Sequence, residues 1–287
     1  MVDIVTNKDS DAKLQDINTM IYNTGETSEE LKAKYNPEGS ILRKAQLRML
    51  DMLLYIDKVC KENHIEYCLD GGNILGAVRH GGFIPWDDDV DVTLDRKNYK
   101  KLCDYLMRHP HPQYVLQCNA TDRQYYGEWS VLRDLKSEYV IDSIVHNVRK
   151  YRGLQVDLFP LETGGSAFIH KLICKINRQN SKYFVGRHPK IAQLFFNIQN
   201  NVFFPVIRFL SNVLSRQKYF MFPIGTCWHF KLPYDSMRPI GKVTFEGHDF
   251  PAPANLKKYL TEHYGDYMKL PPIDKRDHHK AKYKIWD

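Results

Sequence analysis

Between Asp87 and Asp91 the chain sets four carboxylates in five positions, DDDVD, and then turns apolar. In an extended strand Asp87, Asp89 and Asp91 fall on one face and Asp88 on the other, while Val90, Val92 and Leu94 line a core face. Carboxylates crowded on one face repel one another and raise their own pKa values unless a cation sits among them. Oxygen ligands with no His or Cys in the run select a hard ion, Mg²⁺ or Mn²⁺. A further acid, Asp157, stands alone between Val156 and Leu158 in the apolar run GLQVDLFPLE. Burying it is costly unless it joins the same cation site. An acidic surface turn accounts for Asp87 and Asp88 but not for acids interleaved with valines. A calcium-binding EF-hand loop requires Gly at its sixth position and Glu at its twelfth. Here those positions hold Val92 and Asn98.

The elements that must carry these groups are legible as patterns. ILRKAQLRMLDMLLYIDKVCKEN reads as a helix, with Leu42, Met49, Leu53, Ile56 and Cys60 on one stripe and Ser40 as its N-cap. HIEYCLD reads as a strand running into Gly71-Gly72, where backbone N–H groups can face an anion. NILGAVRH is a short helical segment broken by Gly81 and Gly82. Pro85 pushes Ile84 toward an extended conformation, and the acid run is expected to continue as a strand. DRKNYKKLCDYLMRH is a second helix ended by HPHP. YVLQC, EWSVLRD, EYVIDSIVH and GLQVDLFPLE supply further strands. The segment after Gly241 reads as loop-rich. Strands and helices interleave with irregular crossovers, which predicts an α+β fold with a mixed sheet and not a doubly wound one. Four regions are expected: a polar arm over 1–38, a catalytic core over 39–162, a basic, aromatic-rich helical segment over 163–234, and a segment over 235–287 packing on the core.

Charge is unevenly spread. From Thr163 to Tyr234 there is no Asp or Glu but ten Lys or Arg, so this interval carries the positive charge and the rest of the chain, 31 basic against 34 acidic, is slightly negative. The same interval carries LFFNIQNNVFFPVIRFLSNVL, a composition suited to an anionic membrane surface or to a helix pair with solvated lysines outside. It holds no nucleic-acid motif, and no nucleic-acid partner is expected. The six cysteines form no C-x-x-C pair, so structural zinc and a disulfide framework are not expected. With no signal-peptide pattern and no long apolar run, a cytoplasmic location, peripheral at the inner membrane face, is the expectation.

A glycine pair after a strand, two aspartates on the next strand and a third on a later one form the pattern of nucleotidyltransferase-fold enzymes. GGNILGAVRHGGFIPWDDDVDVTLDRKNYKKL resembles the signature of the LicD phosphotransferases, bacterial relatives of the fukutin group. The likeness continues in VLRDLKSEYVID, GLQVDLFPLE and YLTEHYGDYMKLPPIDKRDHH, covering roughly residues 42 to 280. Asn73 stands where that family more often has Thr or Ser.

The resemblance implies a nucleotidyltransferase-fold core and transfer of phosphocholine, or a phospho-alditol, from a CDP-activated donor such as CDP-choline to a hydroxyl of a glycan or glycolipid, with release of CMP. The alternative is a nucleotidyltransferase that uses an NTP and releases pyrophosphate. Asp89, Asp91 and Asp157 match the family's metal-binding acids, with Mg²⁺ or Mn²⁺ as cofactor. Gly71, Gly72, Asn73, Arg79, His80 and Arg133 are the expected donor-binding residues. Asp87, Trp86, Arg276 and His278 form a second tier.

Overall fold

The computed structural model describes residues 20–214, 219–276 and 282–286. The first element is helix α1 (Ser28–Tyr35), capped by Thr27 and Glu30 in a reciprocal capping box. It lies within the segment expected to be an arm. It is docked because Leu31 is fully buried and Ser28 Oγ lies 2.8 Å from His80 Nδ1.

Helix α2 (Ile41–Glu62) starts at Ser40, whose side chain accepts the Arg43 N–H. Its stripe of Ala45, Met49, Leu53, Ile56 and Cys60 is buried in the main core. Strand β1 is only Cys68–Leu69, followed directly by helix α3 (Gly71–His80). Gly81, at φ +71°, ends that helix in the left-handed region. Strand β2 (Asp91–Asp95) leads into helix α4 (Arg96–Arg108), whose first turn is capped by the Asp95 carboxylate at 2.8 Å from the Asn98 nitrogen.

Next come β3 (Tyr114–Gln117), β4 (Ser130–Asp134), β5 (Ser137–Val140) and the short helix α5 (Ile144–Asn147). EYVIDSIVH, expected to be one strand, is thus split: Ser143 accepts the His146 N–H and turns the chain into a helix. The longest strand, β6 (Gln155–Thr163), follows.

The main sheet runs in the order β1-β2-β6-β4-β3, with β7 (Tyr219–Met221) beside the end of β6 and β8 (Leu232–Pro233) beside β7. β2 and β6 are parallel and the other pairs antiparallel, so the sheet is mixed and the fold α+β. β6 is central because Val156 and Leu158 are fully buried, as are Val90 and Val92 before and within its parallel neighbour.

The basic interval forms helix α6 (Ala167–Tyr183) and helix α7 (Pro189–Ile198). One wide π-turn (Gln199–Phe203) then joins α7 to helix α8 (Phe204–Leu214). Its last part returns to the main sheet as β7.

The segment after Gly241, expected to be loop-rich, is instead mostly regular. After the short helix α9 (Tyr234–Met237), β9 (Ile240–Phe245) and β10 (His248–Pro253) form a hairpin, and helix α10 (Leu256–Tyr264) follows. Two prolines disguised β10, yet it pairs on one side only, where a missing N–H is tolerated. Strand β11 (Lys282–Ile285) pairs with β5. Among the described residues no helix is long and apolar enough to cross a membrane.

Candidate active site

The parallel register of β2 and β6 pairs Asp91 with Asp157, so the first carboxylate of each central strand stands beside the other. The run before Asp91 is not strand, contrary to the expectation: the β2 ladder begins at Asp91, and Asp87 to Val90 form a loop. Apart from the Val90 carbonyl, which accepts the Asp157 N–H at 2.8 Å, side-chain amides hold this loop where a ladder would. Gln46 Nε2 donates to the Asp87 carbonyl at 2.9 Å. Asn73 donates to the Asp89 carbonyl at 3.2 Å, and its Oδ1 accepts the Asp91 N–H at 2.7 Å. Asn73, expected to bind donor, thereby braces the acid loop.

Asp88 is bound on another side, although its charge also raises Asp87. Its carboxylate accepts the hydroxyl of Tyr283 on β11 and that of Tyr139 on β5 at 3.4 Å. Asp87 and Asp91 are held well above the usual carboxylate range by burial first and then by neighbouring charge. For Asp91 those neighbours are Asp89, Asp157, Asp70 and Asp87, so five carboxylates share one electrostatic site. Burial also raises Asp157, offset by Trp129 Nε1 and Gln155 Nε2, each donating to one of its oxygens at 2.7 Å. Arg133 and Arg149 lower it further through charge.

This donor set is all oxygen, buried and mutually repelling, which fits a hard divalent cation. Among the described residues no three His, Cys, Asp or Glu groups are arranged to hold an ion by themselves. Magnesium commonly takes one or two carboxylates and completes its shell with water and substrate phosphate.

The glycine pair serves close packing. Gly71 has φ +53°, and its N–H donates to the Tyr259 hydroxyl at 3.0 Å. A Cβ at Gly72 would lie 2.8 Å from Asp87 Oδ2, so glycine is what lets that carboxylate approach the start of α3.

The remaining residues singled out in the sequence frame the site. The Arg79 guanidinium donates to the carbonyls of Tyr267 and Lys269. His80 is fully buried, lowered to about 3 chiefly by desolvation, and therefore neutral. Arg133 bonds Gln117 Oε1 and the Gly153 carbonyl, both at 2.8 Å. These three, expected to meet donor phosphates, are buried and held by protein partners. Trp86 packs in the core against Tyr35, and Arg276 lies over its ring while pairing with Glu26 at 2.6 Å. Arg276 is thereby a clamp on the segment before α1. His278 lies outside the described residues.

Several groups at the site escaped the sequence reading. Asp70, 1 % exposed, stands at the N-cap position of α3 with no side-chain capping bond and accepts the Tyr259 hydroxyl. Arg149 stacks on Tyr125, with its Nε buried and without a hydrogen-bond partner. The basic run VRKYR just before β6 was its only signal. Aromatic rings also pass from one flank of the acids to the other. Trp129 touches Trp228 at 5.6 Å between centroids, which touches Phe222, then Phe230, then His263, and Tyr264 stacks on His263 at 4.5 Å. Burial raises the Tyr264 hydroxyl first, and the charges of Asp70, Asp87, Asp91 and Asp89 raise it further.

Residues 64–187 match the family model described as LicD/FKTN/FKRP, nucleotidyltransferase domain. The lipopolysaccharide cholinephosphotransferase LicD of Haemophilus influenzae is 28% identical over 259 residues, 83% of this chain and 96% of that protein. Human ribitol 5-phosphate transferase FKRP is 50% identical over 40 residues, 14% of this chain and 8% of its own length. The acids, the glycine turn and Arg149 lie inside the matched domain, while Tyr259 and Tyr264 lie beyond it. With its acid-lined mixed sheet, its domain match over residues 64–187 and its likeness along almost the whole of one relative, this chain resembles the LicD transferases.

Proposed function

We propose that the protein transfers phosphocholine from a CDP-activated donor to a hydroxyl of a glycan, or of its lipid-linked precursor, and releases CMP. The observation that carries this reading is the pairing of Asp91 with Asp157 across parallel central strands, inside a chain that resembles a cholinephosphotransferase over 83% of its length. Asp89, Asp91 and Asp157 would hold Mg²⁺ or Mn²⁺ together with donor phosphate oxygens. The ion would neutralise charge on the diphosphate and on the departing CMP.

The chain's own groups supply the rest. Asp157 is fixed by Trp129 and Gln155 and takes the proton of the acceptor hydroxyl. The freed oxygen forms a bond to the phosphorus that carries choline, and the bond from that phosphorus to the bridging oxygen breaks. CMP leaves with both electrons of that bond. Arg149, beside Asp157 and with an unpartnered Nε, neutralises the transferring phosphoryl group. The aromatic row from Trp129 to Tyr264, together with the surplus of carboxylates, suits a quaternary ammonium better than it suits a polyol.

CMP release and donor binding measured with CDP-choline, CDP-ribitol, CDP-glycerol and CTP, in Mg²⁺ and again in EDTA, test the reading. Metal-dependent turnover of CDP-choline supports it. Preference for an alditol donor keeps the chemistry and changes the product. Incorporation of a whole nucleotide from an NTP with pyrophosphate release would replace the reading by nucleotidyl transfer.

A further inference from the structure

Of the 25 large apolar residues exposed among those described, 14 fall between Phe168 and Val213. They are ordered, not scattered. Along the nearly continuous rod of α7, the π-turn and α8, Ile191, Leu194, Ile198, Val202, Val206 and Phe209 recur every three or four residues, all 42% exposed or more. That spacing is one helical stripe. On α6, Phe168, Leu172 and Ile176 repeat at intervals of four, at 75%, 48% and 42% exposure. Between the rods lies an apolar cleft of about 320 Å³ lined by Ile169, Ile207 and Leu210, two of which are themselves exposed, so it opens on this face. A monomer in water rarely leaves so large a contiguous apolar face uncovered.

The charges beside the stripes identify what covers them. On α6, Lys171, Lys175 and Lys182 each stand one position before an exposed Leu172, Ile176 or Tyr183, so the apolar stripe is flanked by ammonium groups. Arg178, Arg187 and Lys190 are exposed as well, and among the described residues none of these six pairs with an acid. No Asp or Glu occurs anywhere from Thr163 to Tyr234. A second copy docked on this face would set cations against cations. An apolar stripe edged with cations is the pattern of a helix lying in the interface of an anionic bilayer.

We infer that α6, α7 and α8 form a docking face for an anionic phospholipid bilayer, on which the protein sits peripherally with Phe168 and Phe209 inserted between lipids. Glu162 on β6 fastens this face to the catalytic sheet, because it accepts hydrogen bonds from both Arg208 on α8 and Arg96 on α4. The docked face and the strand carrying Asp157 are therefore one body. An acceptor anchored in the membrane would meet an active site already held at its surface.

The test is cosedimentation of the full chain with vesicles of equal phosphatidylglycerol and phosphatidylcholine, and with phosphatidylcholine alone. The wild type is expected to bind the anionic vesicles and to leave the neutral ones. Lys171→Glu with Lys175→Glu should weaken partitioning roughly a thousandfold or more, since two attractions are lost and two repulsions gained. Phe168→Asp with Phe209→Asp should abolish binding while CMP release from a soluble donor is unchanged. As an independent readout, Phe209→Trp should be quenched by brominated acyl chains in anionic vesicles and not in their absence. Equal binding to both vesicle types, unchanged binding by the Asp variants, or a concentration-dependent dimer with no vesicle binding and no quenching overturns the inference. Because donor turnover is measured separately, failure of the docking face and failure of the proposed chemistry give different results.

Discussion

At the level of single side chains, the site is a balance between carboxylates that repel and the few groups that make their charge tolerable. Asp157→Asn removes the proposed base and should lower kcat by about 10²–10⁴-fold, measured as CMP release. Asp91 is held in an unfavourable charged environment by burial and by four neighbouring acids. Asp91→Asn is therefore expected to abolish turnover while preserving or raising the Tm of the metal-free protein. A fall in Tm would mean that the Asp91 carboxylate serves the fold. Trp129→Phe takes away the N–H held 2.7 Å from Asp157 Oδ1. That hydrogen bond favours the charged form, so its loss raises the Asp157 pKa, and the acid limb of the rate profile should move to higher pH.

Elements position these groups through contacts that tolerate little substitution. The acid loop has one backbone bond to β6, at the Val90 carbonyl, and depends otherwise on side chains such as Asn73, which clamps the Asp89 carbonyl and the Asp91 N–H. Asn73→Ala should cost about 1–3 kcal/mol in stability by leaving those buried groups unpaired, and should cut kcat more than it raises KM. Denaturant unfolding and steady-state kinetics together check this. Helix α3 approaches the following turn so closely that a Cβ at Gly76 would stand 2.3 Å from the Gly82 carbonyl oxygen. Gly76→Ala must push α3 off the loop, lowering both stability and activity.

For the whole molecule, acid sensitivity should come from buried imidazoles. His80 is lowered to about 3, and His146 and His170 to about 4, in each case by desolvation first. The unfolded chain takes up these protons near pH 6.5 while the folded chain refuses them, so stability is full above 6.5 and falls toward pH 4. His80 alone should account for a loss on the order of several kcal/mol. Thermal melts across pH 4–7 should show this slope, and His80→Gln should flatten it. Glu162, beneath α8, ties the basic helices to the sheet between Arg96 and Arg208. Glu162→Gln leaves two close guanidinium groups with no carboxylate, at a cost of about 3–5 kcal/mol. Limited proteolysis should then cut first between 163 and 214.

The sequence alone determined what is local. Apolar periodicity set α2 and α4 and the buried strands β2 and β6, because side-chain period and burial are properties of neighbouring residues. The crowding of acids beside valines marked the site, since such charge has no other stable place in a core. The capping of α2 by Ser40 and the stop at Gly81 were legible for the same local reason. Only the tertiary structure decided which groups meet. Asp91 stands beside Asp157 through a parallel register spanning 66 positions, and Tyr259 and Tyr264 reach Asp70 and Asp91 from 189 and 173 positions away. Arg79, His80 and Arg133 looked like phosphate ligands in one dimension, because a charge in sequence shows no partner. In three dimensions Arg79, His80 and Arg133 are buried, with backbone and side-chain partners around them, while Arg149 keeps a buried Nε without a hydrogen-bond partner.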